Sequence, residues 1–93
     1  MRLSLFLLAP ALAWAQAPDP AYEPLRAAYE SLQTKEYDRA IESFQQAIKA
    51  APARTAIHKD LAYTYLKVGA NEAARDQFAE AMRLDPADFH VSL

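Results

Sequence analysis

Apolar residues follow one another along this chain at the spacing of helices that bury one face. Ala40, Phe44 and Ala47 are separated by steps of four and three positions, and most residues between them are polar. Residues at this spacing lie on one side of an α-helix, so 37–50 is predicted to be a helix with a buried apolar face. No segment shows the alternation of apolar and polar residues that is typical of a strand.

The same pattern returns thirty-four residues later, and further matches lie upstream of each copy. The matched pairs are Ala28 and Ala62, Tyr29 and Tyr63, Leu32 and Leu66, Ala40 and Ala74, Phe44 and Phe78, Ala47 and Ala81, and Pro52 and Pro86. Each copy is therefore predicted to be two helices, A and B, joined by a short turn and closed by a proline. A fixed period indicates stacked units, against the alternative of two helical hairpins that are alike by accident.

Four helices and their ends follow from the pattern. The predicted ranges are 23–34, 37–50, 55–68 and a last helix that follows Asn71 and ends at about 84. Gly69 is expected to end the third helix in a left-handed conformation, which glycine adopts without strain. Asn71 is the predicted N-cap of the fourth helix, and Asp88 is the predicted N-cap of a further helix that opens a third copy.

The period and its small and aromatic residues resemble the tetratricopeptide repeat family, whose unit is also about 34 residues of helix–turn–helix. The structural motif residues that carry the resemblance are Ala28, Ala40, Phe44, Ala47, Pro52, Ala62, Gly69, Ala74, Phe78, Ala81 and Pro86. The chain departs from the family at Pro24 and His58, where a large aromatic residue is preferred. It departs again at Ser31, whose aromatic counterpart is Tyr65, and at Lys35, which replaces the turn glycine.

The resemblance implies an all-α fold of antiparallel helix–turn–helix repeats, stacked as an α-solenoid. The repeat domain would cover 21–93, with repeats at about 21–54 and 55–88 and a partial third repeat from 89. In this family the A helices line a concave groove that commonly holds an extended peptide or a helix. The implied groove residues are Tyr22, Leu25, Tyr29 and Gln33 from the first copy and Lys59, Tyr63, Leu66 and Lys67 from the second.

Two considerations limit what this groove is expected to bind. The alternative for Tyr29 and Tyr63 is that they pack within the superhelix and bind nothing, because tyrosine is intermediate in burial. Some family members clamp a C-terminal carboxylate with basic and asparagine residues, and the corresponding places here hold Leu25, Tyr29 and Asp60. None of these is basic or asparagine, so that clamp is not expected.

The N-terminus has the features of a secretory signal peptide, assigned to 1–15 and followed by a linker at 16–20. Arg2 gives a positive start, an apolar run follows to Leu12, and Ala13-Trp14-Ala15 is a small-x-small cleavage site. Cleavage after Ala17 is a second possibility, and an uncleaved membrane anchor is a third. The apolar run is too short for a span and Pro10 interrupts it, so we expect no stable membrane span after cleavage.

Composition argues against catalysis. The chain has no cysteine and one glycine, which excludes thiol chemistry and a glycine-rich phosphate loop. The two histidines, His58 and His90, lack the spacing of a metal site, and the carboxylates are expected to form a solvated surface. The net charge is −2, or −3 once the segment carrying Arg2 is removed, and no basic patch suggests nucleic acid. We expect no enzyme activity, no cofactor and no metal.

The expected function is an exported adaptor, periplasmic or secreted, that binds a protein or peptide in its groove. Two alternatives remain at this point: a structural protein that forms homo-oligomers through its C-terminal end, and the N-terminal piece of a longer exported protein. The first alternative depends on an apolar strip that should stay exposed on the fourth helix. The strip consists of Ala74, Phe78, Ala81 and Met82.

The cleavage site generates a prediction. If 1–15 is a signal peptide, the protein recovered from the cell envelope or the medium should begin at Gln16, or at Pro18 if cleavage follows Ala17. Edman sequencing or intact mass spectrometry measures this directly. A protein that keeps Met1 and stays in the cytoplasm would show that the interpretation is wrong.

Overall fold

The computed structural model describes residues 18–89, which form four α-helices and one short 3-10 helix. The helices are α1 (Tyr22–Gln33), α2 (Tyr37–Ala50), α3 (Thr55–Lys67) and α4 (Asn71–Leu84), followed by the 3-10 helix Pro86–Phe89. The all-α prediction is confirmed, since 18–89 contains no strand. The predicted signal peptide at 1–15 and the part of the third repeat beyond Phe89 lie outside the described residues.

The helices stack in chain order, as a helical repeat requires. The main chain of α2 lies against α1 and α3, and that of α3 lies against α2 and α4. Each predicted repeat is thus one antiparallel pair, α1 with α2 and α3 with α4. The predicted ranges agree with these helices to within one residue, and α2 has the predicted bounds.

Buried alanines let the helices approach closely. Ala28, Ala40 and Ala47 are fully buried around the ring of Phe44, which is also fully buried. In the second repeat Ala62, Ala74 and Ala81 are buried in the same way, each exposing 1% or less of its surface. Side chains without bulk beyond Cβ leave room for a large ring between helices, so small and aromatic positions complement each other.

The expected apolar strip on α4 is largely absent, which corrects the prediction. Ala74 and Ala81 face the core, and Phe78 is only partly exposed. Met82 alone among the four is strongly exposed, at 49%. The prediction failed because the small and aromatic residues of each B helix pack against the A helix of the same repeat. The face of α4 that carries them is therefore already covered by α3.

The two A helices end in turns of the same type. The Glu36 N–H donates to the Ser31 carbonyl (N···O 2.8 Å), and the Lys35 N–H donates to the Leu32 carbonyl (3.1 Å). After α3, Ala70 donates to Tyr65 (3.0 Å) and Gly69 to Leu66 (3.1 Å), at positions one period later. These paired bonds define a Schellman motif, which needs a left-handed residue at its C′ position.

The C′ residues of the two turns are Lys35, with φ +60°, and Gly69, with φ +78°. The left-handed prediction for Gly69 is therefore confirmed. Lys35 adopts the same conformation with a side chain, although a Cβ in this region costs on the order of 1–2 kcal/mol. The first repeat accepts backbone strain that the second repeat avoids.

Two predicted caps are wrong. Asn71 is the first residue of α4, and its N-cap is Ala70, whose carbonyl accepts from the Ala74 N–H at 3.0 Å. The preceding turn sets where α4 begins, and Ala70 has no side-chain acceptor that could cap the helix. Asp88 lies inside the 3-10 helix, and its carboxylate accepts from the Lys59 ammonium at 2.6 Å.

Asp19 joins the segment before α1 to the junction between the repeats. Its Oδ1 accepts from the Ala21 N–H at 3.0 Å, and its two carboxylate oxygens lie 3.0 and 3.1 Å from the Arg54 guanidinium. The hydrogen bond from Arg54, with that from Ala21, lowers the pKa of Asp19. The sequence analysis placed Asp19 in the linker 16–20. No pattern in the sequence indicated that its carboxylate pairs with an arginine thirty-five residues away.

The two turns generate a matched pair of stability predictions. Lys35→Gly should raise the free energy of unfolding by about 1 kcal/mol, because glycine adopts the left-handed conformation without strain. Gly69→Lys should lower it by a similar amount; no atom lies within 4 Å of a Cβ built at Gly69, so only backbone strain opposes the change. Urea unfolding followed by circular dichroism measures both. A Lys35→Gly variant less stable than the natural chain would contradict the strain argument.

Candidate functional site

Two adjoining cavities lie along the A helices. The inter-repeat cavity, between α1 and α3, has a volume of about 350 Å³. It is lined by Tyr29, Leu32, Lys35, Tyr37, Asp60, Tyr63, Thr64 and Lys67. The α1 cavity has a volume of about 410 Å³ and is lined by Asp19, Tyr22, Leu25, Arg26, Tyr29, Glu30 and Gln33. Tyr29 lines both cavities, which places them side by side on one surface.

Six of the eight predicted groove residues line these cavities. The α1 cavity contains Tyr22, Leu25, Tyr29 and Gln33, and the inter-repeat cavity contains Tyr29, Tyr63 and Lys67. The other two residues lie elsewhere. Lys59 lines a separate cavity with Asp85 and Asp88, and its ammonium is paired with Asp88. Leu66 is exposed but lines neither cavity, although Leu32, one period earlier, lines the inter-repeat cavity.

Each groove tyrosine rests on the core phenylalanine of its own repeat. The rings of Tyr29 and Phe44 meet edge to face, with centroids 5.3 Å apart and planes at 83°. Tyr63 and Phe78 repeat the arrangement at 5.0 Å and 82°. Such contacts are favourable beyond their buried area and hold the ring in place. Tyr29 remains 42% exposed and Tyr63 55% exposed, so both combine a packed edge with an accessible surface.

A hydrogen bond between side chains joins the two A helices across the repeat boundary. The Tyr29 hydroxyl donates to the Asp60 carboxylate. Partial burial raises the pKa of Tyr29, and the bond to Asp60 and its negative charge raise it further. Tyr29 therefore stays protonated at physiological pH and keeps its role as a donor. On α3, the Thr64 hydroxyl donates to the Asp60 carbonyl at 2.8 Å.

Sequence reasoning missed several residues of the inter-repeat cavity. Asp60 was considered only as a residue that replaces part of the carboxylate clamp and not as a groove residue, yet Asp60, Tyr63 and Lys67 follow one another at steps of three and four and therefore share a face of α3. That spacing could have indicated that Asp60 lies in the groove with Tyr63 and Lys67. Lys35 lies in the turn between α1 and α2, where helical periodicity gives no direction for a side chain, and Tyr37 is the first residue of α2.

The described residues offer no obvious site for metal chemistry. Within 18–89 no cluster of three or more histidine, cysteine or carboxylate side chains could hold a metal ion. His58 is buried outside the groove; its Nε2–H donates to the Pro52 carbonyl at 2.8 Å, and its Nδ1 lies 2.8 Å from the Gln77 Oε1. His58 therefore belongs to the packed and hydrogen-bonded interior of the fold. Across the same residues, none of the helices is both long and apolar enough to cross a membrane.

A family model described as tetratricopeptide repeat matches residues 31–92, two thirds of the chain. The chain belongs to the tetratricopeptide repeat family. The match begins at Ser31, which leaves most of α1 outside it, and α1 is the helix where the sequence departs most from the family pattern. A search of the curated proteins found no match. Tetratricopeptide repeats are typically scaffolds for protein–protein interaction, and membership of the family suggests an interaction module.

The bond between α1 and α3 can be measured with a double-mutant cycle. Tyr29→Phe and Asp60→Asn should each lower the free energy of unfolding, and the double variant should lose little more than either. We expect a coupling energy of about 1 kcal/mol, since the bond has a charged acceptor but is partly exposed. The control pairs Asp60→Asn with Tyr63→Phe, which removes a hydroxyl one period later. Equal coupling in the two cycles would show that Tyr29 and Asp60 do not join the repeats.

Proposed function

We propose that this protein is an exported interaction module that binds an extended segment of a partner protein along α1 and α3. The observation that carries the proposal is the repeated arrangement of Tyr29 and Tyr63 over Phe44 and Phe78. The rings are held in position before any partner arrives, so binding them costs little conformational entropy. Tyrosine also provides a large contact area and a hydroxyl, and it is enriched among the residues that dominate binding energy.

The shape of the surface supports an elongated partner. The α1 cavity and the inter-repeat cavity share Tyr29 and together extend from Tyr22 to Lys67. Each cavity alone falls near the lower end of the range for ligand pockets, about 300–1,000 Å³. A partner that uses both must therefore be extended, which favours a peptide segment over a compact small molecule.

Export is the second part of the proposal. It is supported by the basic start, the apolar run and the small-x-small site that precede Gln16. The partner would then be another periplasmic or secreted protein. Self-association through α4 has less support, because burial of Ala74 and Ala81 leaves Met82 as the strongly exposed residue of the expected strip.

Removal of the tyrosine rings tests the groove. The variant Tyr29→Ala/Tyr63→Ala should capture less partner protein from an envelope or secreted fraction, with each lost contact weakening binding by on the order of 2 kcal/mol. Quantitative mass spectrometry of the captured proteins measures the difference. Circular dichroism must show that the variant is folded at the temperature of the assay.

Two controls accompany this experiment. Tyr29→Phe/Tyr63→Phe keeps both edge-to-face contacts and should retain most of the capture. Met82→Ala removes an exposed apolar side chain from α4, which contributes no residue to either cavity, and should change nothing. If the double alanine variant captures the same proteins in the same amounts, the tyrosines have only a packing role.

A further inference from the structure

We infer that the inter-repeat cavity selects a partner segment that carries an acidic side chain, which is held between Lys35 and Lys67. The segment then presents an apolar side chain to Tyr29 and Tyr63 and a basic or amide side chain toward Asp60. This inference rests on the proposed function and narrows it from a protein segment to one of stated chemistry. Three independent observations support it.

The first observation is the distribution of paired charges. Every arginine in 18–89 has a carboxylate within ion-pair distance, and so does Lys59. The three other lysines in that range, Lys35, Lys49 and Lys67, make no ion pair with a described residue. Two of these three line the same cavity. The cavity therefore concentrates positive charge that the described part of the fold leaves unneutralised.

The second observation is the backbone conformation of Lys35. It occupies the left-handed C′ position that Gly69 occupies one period later, although glycine would avoid the strain. Strained residues that the surrounding structure holds in place are concentrated at functional sites. Lys35 lines the inter-repeat cavity and also a neighbouring cavity with Glu36, Asp38 and Arg39, so the strained position adds a cationic residue to the border of the proposed site.

The third observation is that opposite charges lie at opposite ends of the cavity. Asp60 and Lys67 both line it and are seven residues apart on α3, a rise of roughly 10 Å along the helix axis. Lys35 follows the C-terminal end of α1, and the Tyr29 hydroxyl marks the end near Asp60. An extended chain rises about 3.3 Å per residue, so roughly three residues of a partner cover this distance. An acid near Asp60 would be repelled, which fixes the direction of the segment.

A structural explanation competes with this inference. Cations near the C-terminal end of a helix are stabilised by its dipole, and Lys67 is the last residue of α3. Lys49 is in the last turn of α2 and provides the matched control, since it is equally unpaired but lines neither cavity. If the lysines only stabilised the helix dipole, charge reversal at Lys49 and at Lys67 would have the same effect on stability and on peptide binding.

The experiment begins with an unbiased selection. The mature chain, 16–93, is immobilised and used to select from a library of random displayed heptapeptides. We expect the selected peptides to be enriched in an acidic residue that is separated by about three positions from a basic or amide residue, with an apolar residue between them. One selected peptide is then synthesised with its acid intact, replaced by glutamine, and replaced by lysine. Fluorescence anisotropy measures the affinity of each.

Charge exchange is the decisive comparison. The Lys35→Glu/Lys67→Glu variant should bind the acidic peptide at least tenfold more weakly than the natural chain does. The same variant should bind the lysine-substituted peptide more tightly than the natural chain does. Lys49→Glu should leave both affinities unchanged. Lys35→Gly should weaken binding of the acidic peptide several-fold while it raises stability, an outcome that a purely structural role for Lys35 does not produce. Added salt should weaken binding of the acidic peptide more than binding of the glutamine analogue.

The outcomes that overturn the inference are distinct from those that overturn the proposed function. If selected peptides require Tyr29 and Tyr63 but bind equally well to Lys35→Glu/Lys67→Glu, the inference fails and the interaction module stands. If Lys49→Glu weakens binding as much as the double reversal does, the attraction is not located in the cavity and the inference fails. If no selected peptide depends on either tyrosine, or if light scattering shows a dimer that the Tyr29→Ala/Tyr63→Ala variant does not form, both proposals fail.

Discussion

The close approach of the A and B helices is the constraint on which the rest of the molecule depends. Ala28 and Ala40 are fully buried, and their small size leaves the space that the Phe44 ring fills. That ring in turn supports the edge of Tyr29, and Phe78 supports Tyr63 one period later. A larger side chain at an alanine position would separate the helices and remove the support of the groove, so the residues that hold the fold also position the surface proposed to bind.

The turns between helices make the repeat regular. Each A helix ends in paired hydrogen bonds from C′ and C″, and the carbonyl of that same C″ residue, Glu36 or Ala70, accepts the first bond of the next helix. One residue thus ends helix A and begins helix B, and neither Glu36 nor Ala70 makes a side-chain hydrogen bond that caps the helix following it. The requirement for a left-handed C′ residue is met without strain by Gly69 and with strain by Lys35. The two turns therefore share a geometry while they differ in backbone strain and in charge at C′.

The sequence predicted those features that a single helix or a single period determines. The all-α class, the helix bounds and the left-handed Gly69 follow from spacing and from the properties of glycine. The errors concern contacts between distant segments: Asp88 binds Lys59, and α3 covers the alanines of α4. In the candidate site, the family resemblance implied that Tyr29 and Tyr63 share one surface. Helix periodicity gave no account of the Lys35 side chain, because the direction of a residue in a turn depends on the turn and not on the period.

Charge is used in two different ways in this molecule. The arginines mostly pair with carboxylates three or four residues away on their own helix, as Arg26 does with Glu23 and Glu30. Such exposed pairs contribute little to stability. The inter-repeat cavity instead keeps two lysines without such partners and places Asp60 at the other end, bound to Tyr29 from the neighbouring repeat. A partner that fills this cavity contacts both repeats at once. Binding would therefore stabilise the stacking of α1 on α3. By linkage, the free energy of unfolding of the two-repeat fold rises as the partner occupies the cavity.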